Sequence, residues 1–163
     1  MTGSILRRAA ASLAALAVIG SLSACSPFSE PSRSPMSTTA EKNGDGRLRT
    51  DLEPLTSRFA ALDQPVSAAW MSGELGSGRV PGPTSYWIDA VVTVTPATAA
   101  RLRELATEDA AAVEVVEELA SHVPQGALRT SDALDVEFSQ DGWHTRAWLV
   151  DGADVVVLAS KGQ

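Results

Sequence analysis

The sequence has few of the side chains on which catalytic and metal sites most often depend. It contains one cysteine, two histidines, one tyrosine, three phenylalanines and four tryptophans in 163 residues. A single cysteine excludes an intramolecular disulfide. Neither His122 nor His144 lies in a metalloprotease motif, and the nucleophile motif Gly-x-Ser-x-Gly does not occur. The sequence therefore predicts no metal and no cofactor, and it favours a protein that is not an enzyme.

Basic side chains are also scarce. The chain carries 13 lysines and arginines against 20 aspartates and glutamates, a net charge of −7. Nucleic-acid binding depends on neutralising phosphates, so no nucleic-acid partner is expected. The same acidic excess repels anionic lipid headgroups, which means that charge alone would not hold this protein at a membrane.

The first 24 residues have the three parts of an export signal. Residues 1–8 are positive through Arg7 and Arg8, and residues 9–22 are almost uniformly apolar. This apolar stretch is shorter than the ~20 residues that a helix needs to cross the hydrocarbon core. The pattern therefore predicts a cleaved signal peptide over residues 1–24 rather than a membrane-spanning helix.

The apolar stretch ends in Leu22-Ser23-Ala24-Cys25, which resembles the lipobox of bacterial lipoproteins. In that family the cysteine thiol receives a diacylglyceryl group and the signal peptidase cuts just before it. The resemblance implies that Cys25 is lipidated, that the Ala24–Cys25 bond is cleaved, and that the mature protein sits on the outer face of the cell membrane. The alternative is a secreted protein with an incidental cysteine, but a lone free thiol is a liability in an oxidising compartment.

Beyond the lipobox the composition is rich in alanine, aspartate and arginine, and in this respect the chain is similar to small actinobacterial lipoproteins. Residues 26–46 are dominated by serine, proline and glycine, so we expect residues 25–46 to form a disordered tether. Such a tether would reach on the order of 25 Å. Without the signal peptide, 11 basic and 20 acidic side chains remain, a net charge of −9.

Residues 47–163 are predicted to form one α+β domain: an antiparallel sheet of about five strands with two or three helices on one face. The first helix is expected to start at Thr50, in a capping box with Glu53, and another at Thr95-Pro96. The apolar pattern of residues 108–122 predicts a further helical region, continuous with the previous helix or separate from it. Strands are predicted at 66–75 and 85–95, followed by a meander of 134–138, 143–150 and 155–159.

Strict alternation in these strands predicts one candidate binding face. If Leu134, Val136 and Phe138 point into the core, Glu137 points outward, and the same rule places a set of aromatic and charged side chains on that outer face. The set is Trp87, Trp148, Arg146, His144 and Glu137. Exposed aromatics beside arginine are enriched at binding surfaces, so we expect an envelope protein or ligand here. The alternative is ordinary cross-strand pairing of Glu137 with Arg146 beneath a covering loop.

Two functions are compatible with these observations. The first is a membrane-anchored extracytoplasmic lipoprotein with a non-enzymatic binding or accessory domain. The second is a small cell-envelope enzyme whose site is assembled through space. A buried titratable cluster in a cleft would favour the enzyme, and an exposed sheet face with tryptophan and arginine would favour binding.

Overall fold

The structure, a computed structural model, describes residues 41–76, 83–140 and 142–163. In these residues it shows an α+β fold with a seven-stranded antiparallel sheet, which confirms the predicted class and adds strands to the expected five. The strands are β1 Lys42–Gly44, β2 Ser67–Leu75, β3 Ser85–Thr93, β4 Glu108–Ala110, β5 Leu128–Thr130, β6 Trp143–Val150 and β7 Val155–Gly162. The helices are α1 Glu53–Arg58, α2 Pro96–Leu105, α3 Glu117–Ala120 and α4 Asp132–Phe138, with a 3-10 turn at Ala60–Leu62. The predicted signal peptide and Cys25 lie outside the described residues.

The sheet has the order β1-β2-β3-β7-β6-β5-β4, and every pairing in it is antiparallel. The last strand of the chain, β7, lies in the middle between β3 and β6. Residues 155–160 of this strand are all buried, because side chains on both of its faces are covered. A continuous run of valine and leucine is what a strand buried on both faces requires.

One face of the sheet, here called the first face, packs against α1, α2 and α4. The inward row predicted for β3 is confirmed, since Ala90, Val92 and Val94 are buried in this core and Ile88 packs against it. The β6 row of Ala147 and Leu149 joins the same core. Helix side chains complete it, and two phenylalanines from different helical segments, Phe59 and Phe138, meet edge to face with ring centroids 6.4 Å apart. Their burial fixes the helices on this face.

The opposite, or second, face is covered by residues 110–123, here called the cover, which include α3. Leu119 of α3 is fully buried against Met71, Val91, Val157 and other sheet residues. Valines of the cover pack on the same cluster. Helices were expected on one face only, and this holds for α1, α2 and α4 but not for α3.

Residues 134–138 were predicted as a strand, and this prediction is wrong because they form most of α4. Ser131 caps the helix by accepting a hydrogen bond from the Leu134 amide at 3.0 Å, and acidic residues in the first turn suit the helix dipole. Leu134 and Phe138 are four residues apart and therefore share the buried side of the helix. Val136, expected in the core, is 71% exposed.

The helical region predicted for residues 108–122 is also wrong for most of its length. Glu108–Ala110 pairs with β5 as a short strand, and only Glu117–Ala120 is helical. Val116 has the extended backbone angles φ −60° and ψ 148° that β-branched residues tolerate well. The apolar residues of this segment serve to cover the sheet rather than to line one side of a helix.

The start of the domain differs from the prediction at two points. Helix α1 begins after Leu52 without a side-chain cap, so the Thr50 capping box does not form; an antiparallel bridge from Arg49 to Trp70 keeps the preceding chain extended. Strand β1 lies inside the predicted tether, and its pairing with β2 shows that folded structure begins before residue 47. The predicted cap at Thr95 is confirmed, since its hydroxyl accepts from the Thr98 amide at 3.2 Å.

Candidate functional site

The two tryptophans of the predicted binding face do share one face of the sheet, but neither is exposed. Trp87 is 2% exposed and Trp148 is 1% exposed, because the cover packs over the second face. The prediction of an exposed aromatic surface is therefore wrong. Alternation along a strand identifies the face on which a side chain lies, but it does not show what packs over that face.

The charged members of the predicted face are separated in the structure. Glu137 lies on α4 and pairs with Arg101 at 2.6 Å, so the expected pair with Arg146 does not form. Arg146 instead pairs with Asp135 at 3.0 Å. Its guanidinium carbon lies 5.5 Å from the centroid of the Trp148 ring. His144 and Arg146 are exposed on β6, as predicted.

A different surface has the geometry of a binding site. An open groove of about 660 Å³ lies on the described part of the first face, where α1, α2 and α4 leave the sheet uncovered. Its floor and walls come from strands at the β1 end of the sheet and from Arg49, Arg58 and Trp143. The strand residues that line it are Asn43, Gly44, Asp45, Ser72, Gly73, Glu74, Tyr86, Trp87 and Ile88.

Two aromatic rings and a glycine form the base of one end of this groove. In register, Tyr86 of β3 is opposite Gly162 of β7, which is opposite Trp143 of β6. A Cβ atom at Gly162 would fall within the Trp143 indole, so the indole lies across the glycine backbone. Tyr86, on the other side of the glycine, is 44% exposed. The result is a platform of two aromatic residues that β7 supports from below.

Arg58, the last residue of α1, lies over this platform. Its guanidinium carbon is 4.1 Å from the centroid of the Trp143 ring, well within the ~6 Å of a cation–π contact. Within the described residues, its guanidinium makes no hydrogen bond and no ion pair. A guanidinium that contacts an aromatic ring through its carbon still has N–H donors that can bind a ligand in the groove.

The rim of the groove carries polar groups of both signs. Asp45 accepts a hydrogen bond from the Arg47 amide at 3.0 Å and forms an ion pair with Arg49 at 2.7 Å. The amide hydrogen bond, followed by the arginine charge, lowers the pKa of Asp45, so this exposed carboxylate stays ionised at neutral pH. Glu74 adds a second exposed carboxylate to the lining.

The buried titratable group of the second face is Asp89. Both of its carboxylate oxygens lie within 2.7 Å of the Lys42 ammonium nitrogen, and one also accepts from the Val116 amide at 2.7 Å. Burial raises the pKa of Asp89, against the opposing effect of these partners. Because Lys42 belongs to β1 and Val116 to the cover, this carboxylate fastens two peripheral segments to the sheet.

Sequence patterns did not identify the residues of the groove. Tyr86, Arg58 and Trp143 come from three elements that are distant in the chain, and only the register of β3, β7 and β6 brings the two rings together. The one available signal was Gly162, which follows Ser160 and Lys161 at the end of β7, since a glycine in a strand often marks close approach by another group.

Residues 41–76, 83–140 and 142–163 lack two features. No group of three or more histidine, cysteine, aspartate or glutamate side chains in these ranges could hold a metal ion. No helix in the same ranges is long and apolar enough to cross a membrane. The chain matches no protein-family model, no curated protein and no solved structure.

Proposed function

We propose that this chain is a lipid-anchored extracytoplasmic protein whose folded domain binds a ligand in the groove. The observation that supports binding is the Arg58–Trp143 stack beside the exposed ring of Tyr86. The volume of about 660 Å³ lies within the ~300–1,000 Å³ of ligand pockets. Because these aromatic contacts exist before a ligand binds, the protein side chains lose less conformational entropy on binding.

The anchor is proposed on the lipobox residues alone. We expect the wild-type chain to incorporate labelled palmitate in a bacterial host and to remain with the membrane after a carbonate wash. A Cys25→Ser variant should lose the label and pass into the soluble fraction, whereas the neighbouring Ser26→Ala variant should behave as wild type. Retention of Cys25→Ser on the membrane would refute lipid anchoring through this residue.

The groove can be tested without knowing the natural ligand. The full chain, in mild detergent, is screened by thermal unfolding against a defined panel of saccharides, peptides and nucleotides. A ligand present at 100 times its Kd stabilises a protein by about 2.7 kcal/mol, a readily measured shift. We expect that a stabilising compound loses its effect in Tyr86→Ala and in Trp143→Ala.

The matched control is Val136→Ala, which shortens a side chain that is exposed on α4 and does not line the groove. Its response to the same compound should equal that of wild type. Stabilisation of the groove variants to the wild-type extent would place the ligand elsewhere, and a panel with no stabilising compound would count against a binding function.

The alternative of a small cell-envelope enzyme would gain support from a buried titratable cluster in a cleft. Asp89 is the buried carboxylate that comes closest to this description, but Lys42 and Val116 engage both of its oxygens. It does not line the groove. We therefore assign Asp89 a structural role and propose binding as the function.

A further inference from the structure

We infer that the groove takes a saccharide that carries a carboxylate, with its sugar ring on Tyr86 and its carboxylate on Arg58. This inference rests on the proposed binding function and specifies the chemical class of the ligand. Two independent features of the groove support this ligand class. The first is the guanidinium of Arg58, which forms no ion pair within the described residues, and the second is the exposed ring of Tyr86 in a groove with polar lining groups.

The first feature is the contact of Arg58 with Trp143 and its lack of an ion pair within the described residues. Among the described residues there are nine lysines and arginines, and six of them form ion pairs with aspartate or glutamate. Arg58 forms none there, although acidic side chains outnumber basic ones in the chain. Its guanidinium carbon instead lies 4.1 Å from the centroid of the Trp143 ring, and the residue lines the groove.

A guanidinium fixed in this way is suited to a carboxylate. Its planar edge can donate two parallel hydrogen bonds, and charge-assisted bonds of this kind are roughly twice as strong as neutral ones. The stack on Trp143 holds the side chain in place before the ligand arrives, so that less rotamer entropy is lost on binding.

The second feature is the surroundings of Tyr86. The aliphatic C–H bonds of a pyranose ring pack favourably on the electron-rich face of an aromatic ring. The lining of the same groove includes Ser72, Asp45 and Glu74, whose oxygens can accept hydrogen bonds from sugar hydroxyls. Gly44, Gly73 and Ser72 contribute no large side chains to the lining.

The register also fits the size of such a ligand. Tyr86 and Trp143 are separated by one strand, and strands lie about 4.8 Å apart, so the two residues are about 10 Å apart across the sheet. If the sugar ring lies on Tyr86, the rest of the distance to Trp143 accommodates an exocyclic carboxylate directed at Arg58.

The test measures binding of acidic sugars to the full chain by calorimetry in mild detergent. The probes are glucuronate, galacturonate, N-acetylmuramate and N-acetylneuraminate, each beside its own methyl ester, which keeps the ring and removes the charge. We expect at least one acid to bind about ten-fold or more tightly than its ester. Arg58→Gln should abolish this preference, and Arg58→Lys should restore part of it.

The matched control is Arg47→Gln, because Arg47 also forms no ion pair within the described residues but does not line the groove. Its preference for the acid should equal that of wild type. Circular dichroism and thermal unfolding of each variant in the absence of sugar confirm that it is folded.

The possible failures separate this inference from the proposed function. If an acid and its ester bind equally and Tyr86→Ala weakens both, the carboxylate is refuted and the groove remains a binding site. If no acidic sugar binds while another compound of the panel stabilises the chain through the groove, the saccharide class is refuted. Binding of the acid that Arg58→Gln leaves unchanged also refutes the inference.

Discussion

Removal of the Asp89 carboxylate should be among the most destabilising single changes in the described domain. In Asp89→Ala the Lys42 ammonium group loses its counterion and the Val116 amide loses its acceptor. Breaking a buried ion pair costs about 3–5 kcal/mol, and an unpaired buried amide costs about 1–3 kcal/mol. Since the Lys42 side chain is 20% exposed and can turn toward water, we expect a total loss of about 3–4 kcal/mol. Domains of this size have only about 5–15 kcal/mol of stability.

The assay is urea unfolding at neutral pH, followed by tryptophan fluorescence. Asp109→Ala is the matched control, because Asp109 also pairs with a basic side chain, Arg129, yet is 85% exposed. An exposed pair of this kind contributes about 0–1 kcal/mol. Equal losses for the two variants would refute the reasoning, since burial would then not distinguish the two carboxylates.

The pH dependence of the Asp89 contribution has a definite sign. Burial raises the pKa of Asp89 above the ordinary value of 3.8, so the folded state binds the proton more tightly than the unfolded state. Its contribution to stability is therefore complete below the unfolded pKa and is lost as pH rises through the folded pKa. Asn in its place does not titrate, so the stability of Asp89→Asn relative to wild type should improve with rising pH over this window. A decline over the same window would show that the Lys42 charge outweighs burial.

Three further substitutions test other parts of the fold. Gly162→Ala should displace the Trp143 indole, shift its emission to longer wavelength and cost about 1–3 kcal/mol; unchanged emission would contradict the glycine–indole contact. Leu119→Ala should cost about 2–5 kcal/mol and increase acrylamide quenching of the second-face tryptophans, whereas unchanged quenching would argue against the cover. Thr95→Ala should cost about 1 kcal/mol in urea unfolding, and the exposed Thr107→Ala should not; equal costs would rule out the cap.

The parts of the fold that the sequence predicted are those whose signals are local. Strands β2, β3, β6 and β7 follow from runs of β-branched and aromatic residues, and α2 follows from Thr95-Pro96. The error at α4 arose because alternating apolar residues at 134, 136 and 138 satisfy a strand pattern and, through residues 134 and 138 alone, a helix pattern too. Ser131 as N-cap was the local signal that distinguishes them.

The cover could not have been predicted in the same way. Its valines are not spaced with one period because they contact the sheet from an irregular segment, and their partners on the sheet are about 20 residues or more away in the chain. The same long-range contacts bury Trp87 and Trp148, which strand alternation alone had left exposed. Burial of a strand's outer face depends on what else the chain can place there, and a local pattern does not contain that information.

The groove is partly built from residues that were predicted to belong to the tether. Gly44 lies in the predicted tether and Gly73 in the predicted strand 66–75, and the two pair side by side between β1 and β2. A Cβ at Gly44 would lie 2.9 Å from the Ser72 carbonyl oxygen, and one at Gly73 would collide with the β1 backbone. Glycine is therefore required for the two strands to approach each other this closely. A segment rich in glycine is predicted to be disordered when its composition is considered alone. The same composition also occurs where an edge strand pairs closely with its neighbour.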